Sequence, residues 1–486
     1  MKKYCCLLLF FLASSCLLAQ SPMSPKLHTH NGNPLLDFMY VADPTAIAYD
    51  GRIYVYGTND QQEYDLVGKE KENSYTHIHS LVMMSSDDMV NWTYHGFIDV
   101  KALSPWGQVS WAPSITSRKE KDGKTHFYLY YSHGGGGVAM LTSTSPVGPW
   151  HDPLGKNLIS QNTPGLVNCP APFDPGVTID EEGVGWLAFG GGDNGFGDYM
   201  PGTPRIVRLG KDMMSLDSEI AEIPAPYFFE ASELNFINGT WVYTYNTNWK
   251  ERTTWPYSGI DKPSRCCMSY MTTQTPLDKD SWKYKDNYFK NPGDYGMPWG
   301  NNHTHLEKFE GNYYLFYHSL SLQNFRGAKN GYRNVCVEKI ELDENNVIIN
   351  MGRATSEGPA QLKLMNPYNW QQAETTFATL GVKFEPTHTP GNMVAIGSEK
   401  GQCIEVHGIN FSQIPNIFEA KVEGKGEIEV RLNHSKGDLI ALLKFDNDTF
   451  SPVSTKVQQK VNGTHNLCFV FGKGNFKFDE WRFKSK

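Results

Sequence analysis

Short apolar runs alternate with polar turn residues along most of this chain, and one arrangement recurs five times before residue 320. Each copy begins with small and polar residues, continues as an apolar strand, turns at an acidic or Asn-Gly pair, and returns as an aromatic strand. The copies recur roughly every 55 to 75 residues, which suits a four-stranded propeller blade. They cover residues 42–56, 111–131, 173–189, 229–243 and 302–317. The pattern predicts an all-β protein that begins with a five-bladed β-propeller.

The C-terminal part of the chain follows a different pattern. The aromatic repeat stops after residue 349, and a segment containing Gly-Pro and Asn-Pro pairs, residues 358–367, follows it. The remaining residues alternate in short strands with turn residues about every ten positions, which is typical of a β-sandwich. The sequence therefore predicts a propeller over residues 28–362 and a jelly-roll β-sandwich over residues 366–486.

The N-terminus has the composition of a secretory signal peptide. Lys2 and Lys3 precede an apolar core over residues 7–12, and small residues follow it. This order predicts a signal peptide over residues 1–20 and a secreted or periplasmic protein. Because Cys16 closes a loose lipoprotein box, a lipid anchor on the cell envelope is the alternative. No later segment has the ~20 consecutive apolar residues of a membrane span.

The charge balance narrows the choice of partner. The chain has 44 Lys and Arg against 52 Asp and Glu, a formal net charge of -8, and its basic residues do not cluster. Nucleic-acid binding requires clustered positive charge, so this partner class is excluded. The sequence favours a neutral ligand, and it gives no indication of the oligomeric state.

A propeller brings the first strands of its blades together around one axis. Asp43, Asp174, Glu230 and His303 stand at the heads of four such strands, so we expect them to meet in space. Hydrolysis of a glycosidic bond requires at least two carboxyl groups that face each other. Glu230 follows the apolar residues 227–229, which would raise its pKa as a proton donor requires.

Each acid also has a simpler interpretation. An Asp at a strand end is commonly a turn or cap residue, and a Glu there is commonly paired with an Arg. Glu233, three residues after Glu230, is an alternative candidate for the same role. Because three acids at equivalent blade positions are hard to explain by structure alone, the joint pattern favours a catalytic site. Neighbouring negative charges would also shift one another's pKa.

Seven motifs stand in order along the predicted propeller. They are Asn33-Pro34-Leu35, Ala42-Asp43-Pro44, Ser110-Trp111-Ala112-Pro113, Phe173-Asp174-Pro175, Phe228-Phe229-Glu230-Ala231-Ser232, Gly300-Asn301-Asn302-His303 and Tyr332-Arg333. Together they resemble glycoside hydrolase family 43. The resemblance implies hydrolysis with inversion, in which Asp43 is the general base and Glu230 the general acid. It implies that Asp174 orients Glu230 and tunes its pKa.

The same resemblance implies a substrate site around these acids. Trp111, Arg333 and His303 would contact the sugar, and His303 would lie near a water-coordinated calcium. For His303 the alternative is a satisfied imidazole in the core, and for Trp111 it is simple packing.

A second set of motifs covers the predicted sandwich. They are Gln372-Ala373-Glu374, Gly381-Val382, Ile404-Glu405-Val406, Ile409-Asn410-Phe411, Glu429-Val430-Arg431, Gly437-Asp438-Leu439-Ile440, Asn475-Phe476 and Trp481-Arg482-Phe483. This part resembles carbohydrate-binding module family 6. The resemblance implies a structural calcium held by Gln372, Glu374 and Asp479. Where that family usually places a Trp the chain has residues 452–455, Pro-Val-Ser-Thr, which leaves a purely structural role open.

These expectations combine into one predicted function. The chain would be an exported glycosidase that removes α-L-arabinofuranosyl groups from arabinoxylan or arabino-oligosaccharides, with no cofactor for the chemistry. The first alternative is a β-xylosidase or xylanase acting on xylo-oligosaccharides, because arabinofuranose and xylopyranose present similar hydroxyl patterns. The second alternative is a non-catalytic glycan-binding lipoprotein, which the presence of Asp43, Asp174 and Glu230 argues against.

Overall fold

The computed structural model describes residues 24–193, 199–251, 253–343 and 351–485. The predicted signal peptide over residues 1–20 and the predicted lipid anchor at Cys16 lie outside the described residues. Residues 24–41 precede the first strand, and we call them the N-terminal arm.

Five antiparallel sheets form the first part of the described chain, and each sheet is one blade. Blade one has β1 (Ala42–Tyr49), β2 (Arg52–Thr58), β3 (Ser80–Ser86) and β4 (Trp92–Asp99); blade two has β5 (Trp111–Lys119), β6 (Thr125–Ser132), β7 (Gly137–Ser143) and β8 (Ile159–Ser160); blade three has β9 (Gly176–Ile179), β10 (Gly185–Phe189), β11 (Arg205–Arg208) and β12 (Ala221–Glu222); blade four has β13 (Phe228–Ile237), β14 (Thr240–Thr247), β15 (Met268–Thr273) and β16 (Lys283–Phe289); blade five has β17 (Thr304–Phe309), β18 (Asn312–Ser319) and β19 (Asn334–Ile340).

The first strand of each blade lies innermost, next to the first strands of the neighbouring blades. β1 contacts β5 and β17, β9 contacts β5 and β13, and β13 contacts β17. This closed ring confirms the predicted five-bladed propeller and places the five strand heads around one axis.

Successive side chains along each second strand point to opposite faces of the blade, and this explains how neighbouring blades pack together. In β2, Val55 packs into one apolar cluster with Val337 of blade five. The next residue, Tyr56, points to the opposite face and packs with Leu129 of blade two. The aromatic and aliphatic side chains of the second strands, seen in the sequence, therefore form the apolar layers between neighbouring blades.

The N-terminal arm closes the ring on blade five. The Leu35 amide donates to the Val335 carbonyl at 2.9 Å. The side chain of Asn33 accepts from the Val337 amide at 2.9 Å and donates to its carbonyl at 3.1 Å. The chain that enters blade one is thus fastened along the outer strand of blade five.

The C-terminal part is one curled sheet around a single apolar core. Nine strands form this sheet. A tenth short strand, β21 (Thr375–Thr376), pairs with β4 instead and extends blade one. The nine are β20 (Gln371–Gln372), β22 (Ala378–Leu380), β23 (Lys383–Pro386), β24 (Met393–Gly397), β25 (Cys403–Phe411), β26 (Pro415–Leu432), β27 (Leu439–Lys456), β28 (Gly463–Phe471) and β29 (Asn475–Ser485).

Long strand β26 makes this sheet continuous. Its first half pairs with β29 and its second half with β28, and the register shifts between Val422 and Gly424. Gly424 has φ +95°, a conformation that L side chains rarely adopt, and a Cβ there would meet the Asn475 carbonyl at 2.5 Å. The strand bends at this glycine, so the two layers of the predicted sandwich are joined rather than separate. The all-β fold class is confirmed.

Helices are few and short in the described chain. They are α1 (Pro25–Thr29), α2 (Asp60–Val67), α3 (Val100–Leu103) and α4 (Ser321–Arg326), with 3-10 turns at Gly134–Gly136, Lys279–Ser281 and Pro292–Tyr295. None of the helices within the described ranges has the length and apolar character needed to cross a membrane.

Candidate active site

A cavity of about 150 Å³ opens at the axis where the first strands begin. All six residues predicted for the propeller site line this one cavity, together with five further residues, four of which stand in the motifs quoted above. The predicted residues are Asp43, Trp111, Asp174, Glu230, His303 and Arg333, and the others are Tyr75, Ala112, Phe173, Asn301 and Asn302. The repeat therefore brings the six predicted residues together in space.

The strand heads share an unusual backbone conformation. One residue in each of blades one to four has a left-handed φ between 36° and 58°, which costs a non-glycine residue of order 1–3 kcal/mol. These residues are Asp43, Ala112, Asp174 and Ala231. The same irregularity at four heads marks the point where the chain turns from the axis into the blade.

Glu230 stands one position before this point. It pairs with Asn246, just as Trp111 pairs with Ser132 in blade two. The prediction that Asp43, Asp174 and Glu230 occupy equivalent places is therefore wrong for Glu230. The register shift between Glu230 and Glu233 matches those between Ala42 and Thr45 in blade one and between Trp111 and Ser114 in blade two, so it is common to these strand heads.

Asp43 is buried and held by three groups. Its Oδ1 lies 2.7 Å from Arg333 Nη1 and 3.3 Å from His318 Nδ1, and its Oδ2 accepts from the Thr58 hydroxyl at 2.8 Å. Burial alone would raise the pKa of Asp43, but the Arg333 guanidinium, aided by His318 and His303, holds it well below its usual range. Asp43 is therefore ionised at neutral pH, as a general base must be.

Arg333 is fixed by a second carboxylate. Its Nε and Nη2 each lie 2.8 Å from an oxygen of Asp60, which begins α2 and is fully buried. The guanidinium also lies 4.9 Å from the centre of the Tyr75 ring. Arg333 lines the cavity as predicted, but most of its hydrogen-bonding capacity goes to Asp43 and Asp60. We infer that it positions and ionises Asp43.

Asp174, at the head of blade three, is hydrogen-bonded to blades two and four. Its Oδ2 accepts from the Ala231 amide at 2.9 Å, and its Oδ1 accepts from the Ser132 hydroxyl at 3.1 Å. The bond from the Ala231 amide fixes the backbone next to Glu230. Burial, followed by the negative charges of Asp174 and Asp43, raises the pKa of Glu230 well above its usual range. Glu230 therefore keeps its proton where Asp43 has lost its own.

His303 presents a free nitrogen within the site. Its Nδ1 lies 3.7 Å from Asp43 Oδ1, and its buried Nε2 has no hydrogen-bond partner among the described residues. Burial lowers the pKa of His303 to about 4, so the ring is neutral at pH 7. The alternative of a fully satisfied core imidazole does not describe this ring.

Glu233 is not the acid of this cavity. Its Oε1 lies 3.0 Å from His305 Nδ1, both side chains are buried, and neither residue lines the cavity. Because this tight, buried pair lies outside the cavity lining, Glu230 is the candidate acid.

Trp111 is half-buried at the edge of the cavity. Its Nε1 donates to the Tyr75 carbonyl at 2.9 Å, which fixes the ring while leaving it against the cavity space. An indole held in this way offers an apolar face on which a sugar ring can stack.

Sequence reasoning missed the residues that hold the acids, although the second strands contain a signal for them. In four of the five blades, the last or second-last residue of the second strand is a polar residue near the axis. These are Thr58, Ser132, Asn246 and His318 in blades one, two, four and five. Three of the four, Thr58, Ser132 and His318, lie within 3.3 Å of Asp43 or Asp174. Asp60 carried no comparable signal, because a polar residue at the start of a short helix is ordinary.

The predicted calcium ligands of the C-terminal sheet lie close together. The Ala373 amide donates to the Asp479 carbonyl at 2.7 Å, which places Gln372, Glu374 and Asp479 at the same end of the sheet. Gln372 Oε1 and Glu374 Oε2 are buried acceptors without a donor among the described residues. Burial raises the pKa of Glu374 to about 8. Unpaired oxygen acceptors beside carboxylates fit a calcium ion.

Comparison with known families decides the assignment of the first domain. The profile described as Glycosyl hydrolases family 43 matches residues 31–348. The chain belongs to glycoside hydrolase family 43. In this family 43 protein, the profile described as Carbohydrate binding module (family 6) matches residues 372–485, which contain most of the curled sheet.

Two curated relatives of this family 43 protein are similar over most of its length. The arabinoxylan arabinofuranohydrolase of Bacillus subtilis (strain 168) is 35% identical over 526 aligned positions, which cover 100% of both chains. That of Paenibacillus polymyxa is 34% identical over 481 positions, covering 93% of this chain and 74% of the relative. A crystal structure of a family 43 arabinoxylan arabinofuranohydrolase from Bacillus subtilis, in complex with cellotetraose, superposes with a TM-score of 0.87 at 34% identity. It covers 95% of this chain and 99% of that one.

Proposed function

We propose that the protein removes α-L-arabinofuranosyl groups from arabinoxylan or arabino-oligosaccharides with inversion of configuration. The observation that carries this proposal is the pairing of an ionised Asp43 with a protonated Glu230 in one cavity. The similarity to two arabinoxylan arabinofuranohydrolases over most of the chain supports the choice of sugar.

The proposed reaction needs only side chains and water. Glu230 donates its proton to the glycosidic oxygen as the bond to the arabinose C1 breaks. The Asp43 carboxylate takes a proton from a water molecule, whose oxygen bonds to C1 from the opposite face. Asp174 holds the backbone beside Glu230 and keeps its pKa high. Because the side chains supply both proton transfers, the chemistry requires no cofactor.

The shape of the cavity supports removal of single sugar groups. Its volume of about 150 Å³ is small, and Trp111 and Phe173 form part of its wall. His303 Nε2 and the remaining Arg333 N–H groups would bind hydroxyl groups of the sugar. A small pocket of this kind accepts a branch or a chain end better than the middle of a backbone.

A panel of chromogenic glycosides followed by product analysis on wheat arabinoxylan tests the substrate. We expect release of arabinose from 4-nitrophenyl α-L-arabinofuranoside and from the polymer, with the xylan backbone left intact. Release of xylose or xylo-oligosaccharides would instead favour the β-xylosidase or xylanase alternative. No hydrolysis of any substrate would favour the glycan-binding alternative.

The pH profile tests the role of Asp174. Replacing Asp174 by Asn removes a negative charge that raises the pKa of Glu230, so this pKa falls. Since Glu230 must be protonated to act, the basic limb of the kcat/KM profile should move to lower pH. The exposed Asp217→Asn is the matched control and should leave the profile unchanged. An unshifted basic limb in Asp174→Asn would contradict the role.

We also propose that Gln372, Glu374 and Asp479 bind a structural calcium ion. Calcium should then raise the Tm of the full chain, because an ion that binds only the folded state stabilises it. In Glu374→Gln the calcium-dependent rise in Tm should be lost, whereas the exposed Glu399→Gln should keep it. Equal shifts in both variants would refute this site. The second predicted calcium, near His303 through water, remains a prediction.

We further propose that the protein is exported, with Cys16 as a lipid anchor in the alternative form. Cell fractionation of the wild type and Cys16→Ser distinguishes the two forms. A secreted or periplasmic protein gives the same soluble distribution in both, and an anchored one becomes soluble only in the variant.

A further inference from the structure

Three potential metal ligands converge at the junction of the N-terminal arm and the curled sheet, outside the catalytic cavity. They are His30, which follows α1, and Glu405 and His407 on β25. His407 Nε2 lies 2.7 Å from Glu405 Oε1, and His30 Nδ1 lies 3.9 Å from the same oxygen. The ligand atoms of all three residues lie within 4.8 Å of one another. In the described parts of the chain, no other His, Cys, Asp and Glu residues converge in this way.

We propose that His30, Glu405 and His407 bind a divalent transition metal ion, best Zn²⁺, which clamps the N-terminal arm to the curled sheet. Two imidazoles and one carboxylate suit zinc, whereas calcium prefers oxygen ligands alone. Ligand atoms about 2.0 Å from a tetrahedral zinc lie about 3.3 Å apart, and the two observed separations fall on either side of this value. Small side-chain rotations therefore complete the site.

Burial and exposure of the three side chains also suit an ion. Glu405 is almost fully buried, so its carboxylate is held in place, and water is excluded from one side of the site. The His30 side chain is 57% exposed, which leaves a route for the ion and room for a water as fourth ligand.

The position of the site gives the ion a structural role. His30 lies three residues before Asn33, whose side chain fastens the arm to blade five. On the other side, the His407 amide donates to Asn91 of blade one at 2.8 Å, and Asn91 donates to the His407 carbonyl at 2.9 Å. An ion at this point would join the arm, the curled sheet and blade one beside the closure of the ring.

Calorimetric titration of the metal-free full chain with Zn²⁺, in saturating calcium, tests the proposal. The wild type should bind one Zn²⁺ and show a higher Tm. His30→Ala changes an exposed side chain and should fold normally. Loss of an outer-sphere partner typically lowers metal affinity by about 10- to 100-fold, and the affinity of this variant for Zn²⁺ should fall by more than that. Hydrolytic activity should stay the same in wild type and variant, because none of the three ligands lines the catalytic cavity.

Two further variants make the result decisive. His28→Ala removes another exposed histidine of α1 that is not part of the cluster, and it should bind Zn²⁺ like the wild type. Glu405→Gln keeps the shape of the buried side chain but removes its charge, and it should lose affinity as His30→Ala does. Absence of stoichiometric binding by the wild type, or equal binding by wild type and His30→Ala, would overturn the proposal.

Discussion

Replacement of Glu230 by Gln is expected to reduce kcat on wheat arabinoxylan by about 100- to 10,000-fold. The amide keeps the size of the side chain but cannot give a proton to the departing xylan oxygen. That oxygen is a poor leaving group without protonation, so bond cleavage slows. The rate of arabinose release under saturating substrate measures the effect. The exposed Glu219→Gln, between β11 and β12 of blade three, should retain wild-type activity.

The choice of leaving group identifies the role of Glu230 specifically. An aryl α-L-arabinofuranoside with a strongly acidic phenol needs little protonation on departure. We therefore expect Glu230→Gln to hydrolyse this substrate with a much smaller loss than it shows on arabinoxylan. An equal loss on both substrates would mean that Glu230 is not the general acid, and full activity on both would remove it from the mechanism.

Replacement of Asp43 by Asn should cause a loss of similar size, about 100- to 10,000-fold, that a better leaving group does not relieve. The amide cannot accept a proton from the attacking water, although it can still receive the bond from Thr58. Arg333 also loses one of its two carboxylate partners. Kinetics with the aryl substrate and with arabinoxylan measure both losses.

Azide separates loss of the base from loss of structure in this variant. A small anion that needs no deprotonation can attack C1 in place of water, so azide should partly restore turnover of the aryl substrate by Asp43→Asn. The exposed Asp50→Asn at the end of β1 should behave like the wild type with and without azide. Wild-type hydrolysis by Asp43→Asn would contradict the assignment of the base.

The five strand heads could be predicted from sequence because the blade repeat fixes which strand is innermost. Asp43 and Asp174 share the same Asp-Pro frame, and the structure gives both the same left-handed backbone. Glu230 does not follow this rule, because it lies one position before Ala231, the left-handed residue of its strand head. The register shift that follows it also occurs in blades one and two, so Glu230 occupies the position of Ala42 and Trp111 rather than that of Asp43.

The polar partners of the acids were harder to predict, for a physical reason. Asp60 reaches Arg333 from a helix inserted between β2 and β3, and only the folded chain brings the two residues together. Likewise, the apolar alternation in β26 continues through Gly424, so the sequence does not reveal that one bent strand joins both layers of the curled sheet.

The anomeric form of the first sugar released tests the central claim most directly. Proton NMR of wheat arabinoxylan during early hydrolysis, before mutarotation, identifies both the sugar and its configuration at C1. The roles of Asp43 and Glu230 predict β-L-arabinofuranose as the first product, since inversion converts the α-linkage into the β-anomer. Initial release of the α-anomer, or release of xylose instead, would contradict this account.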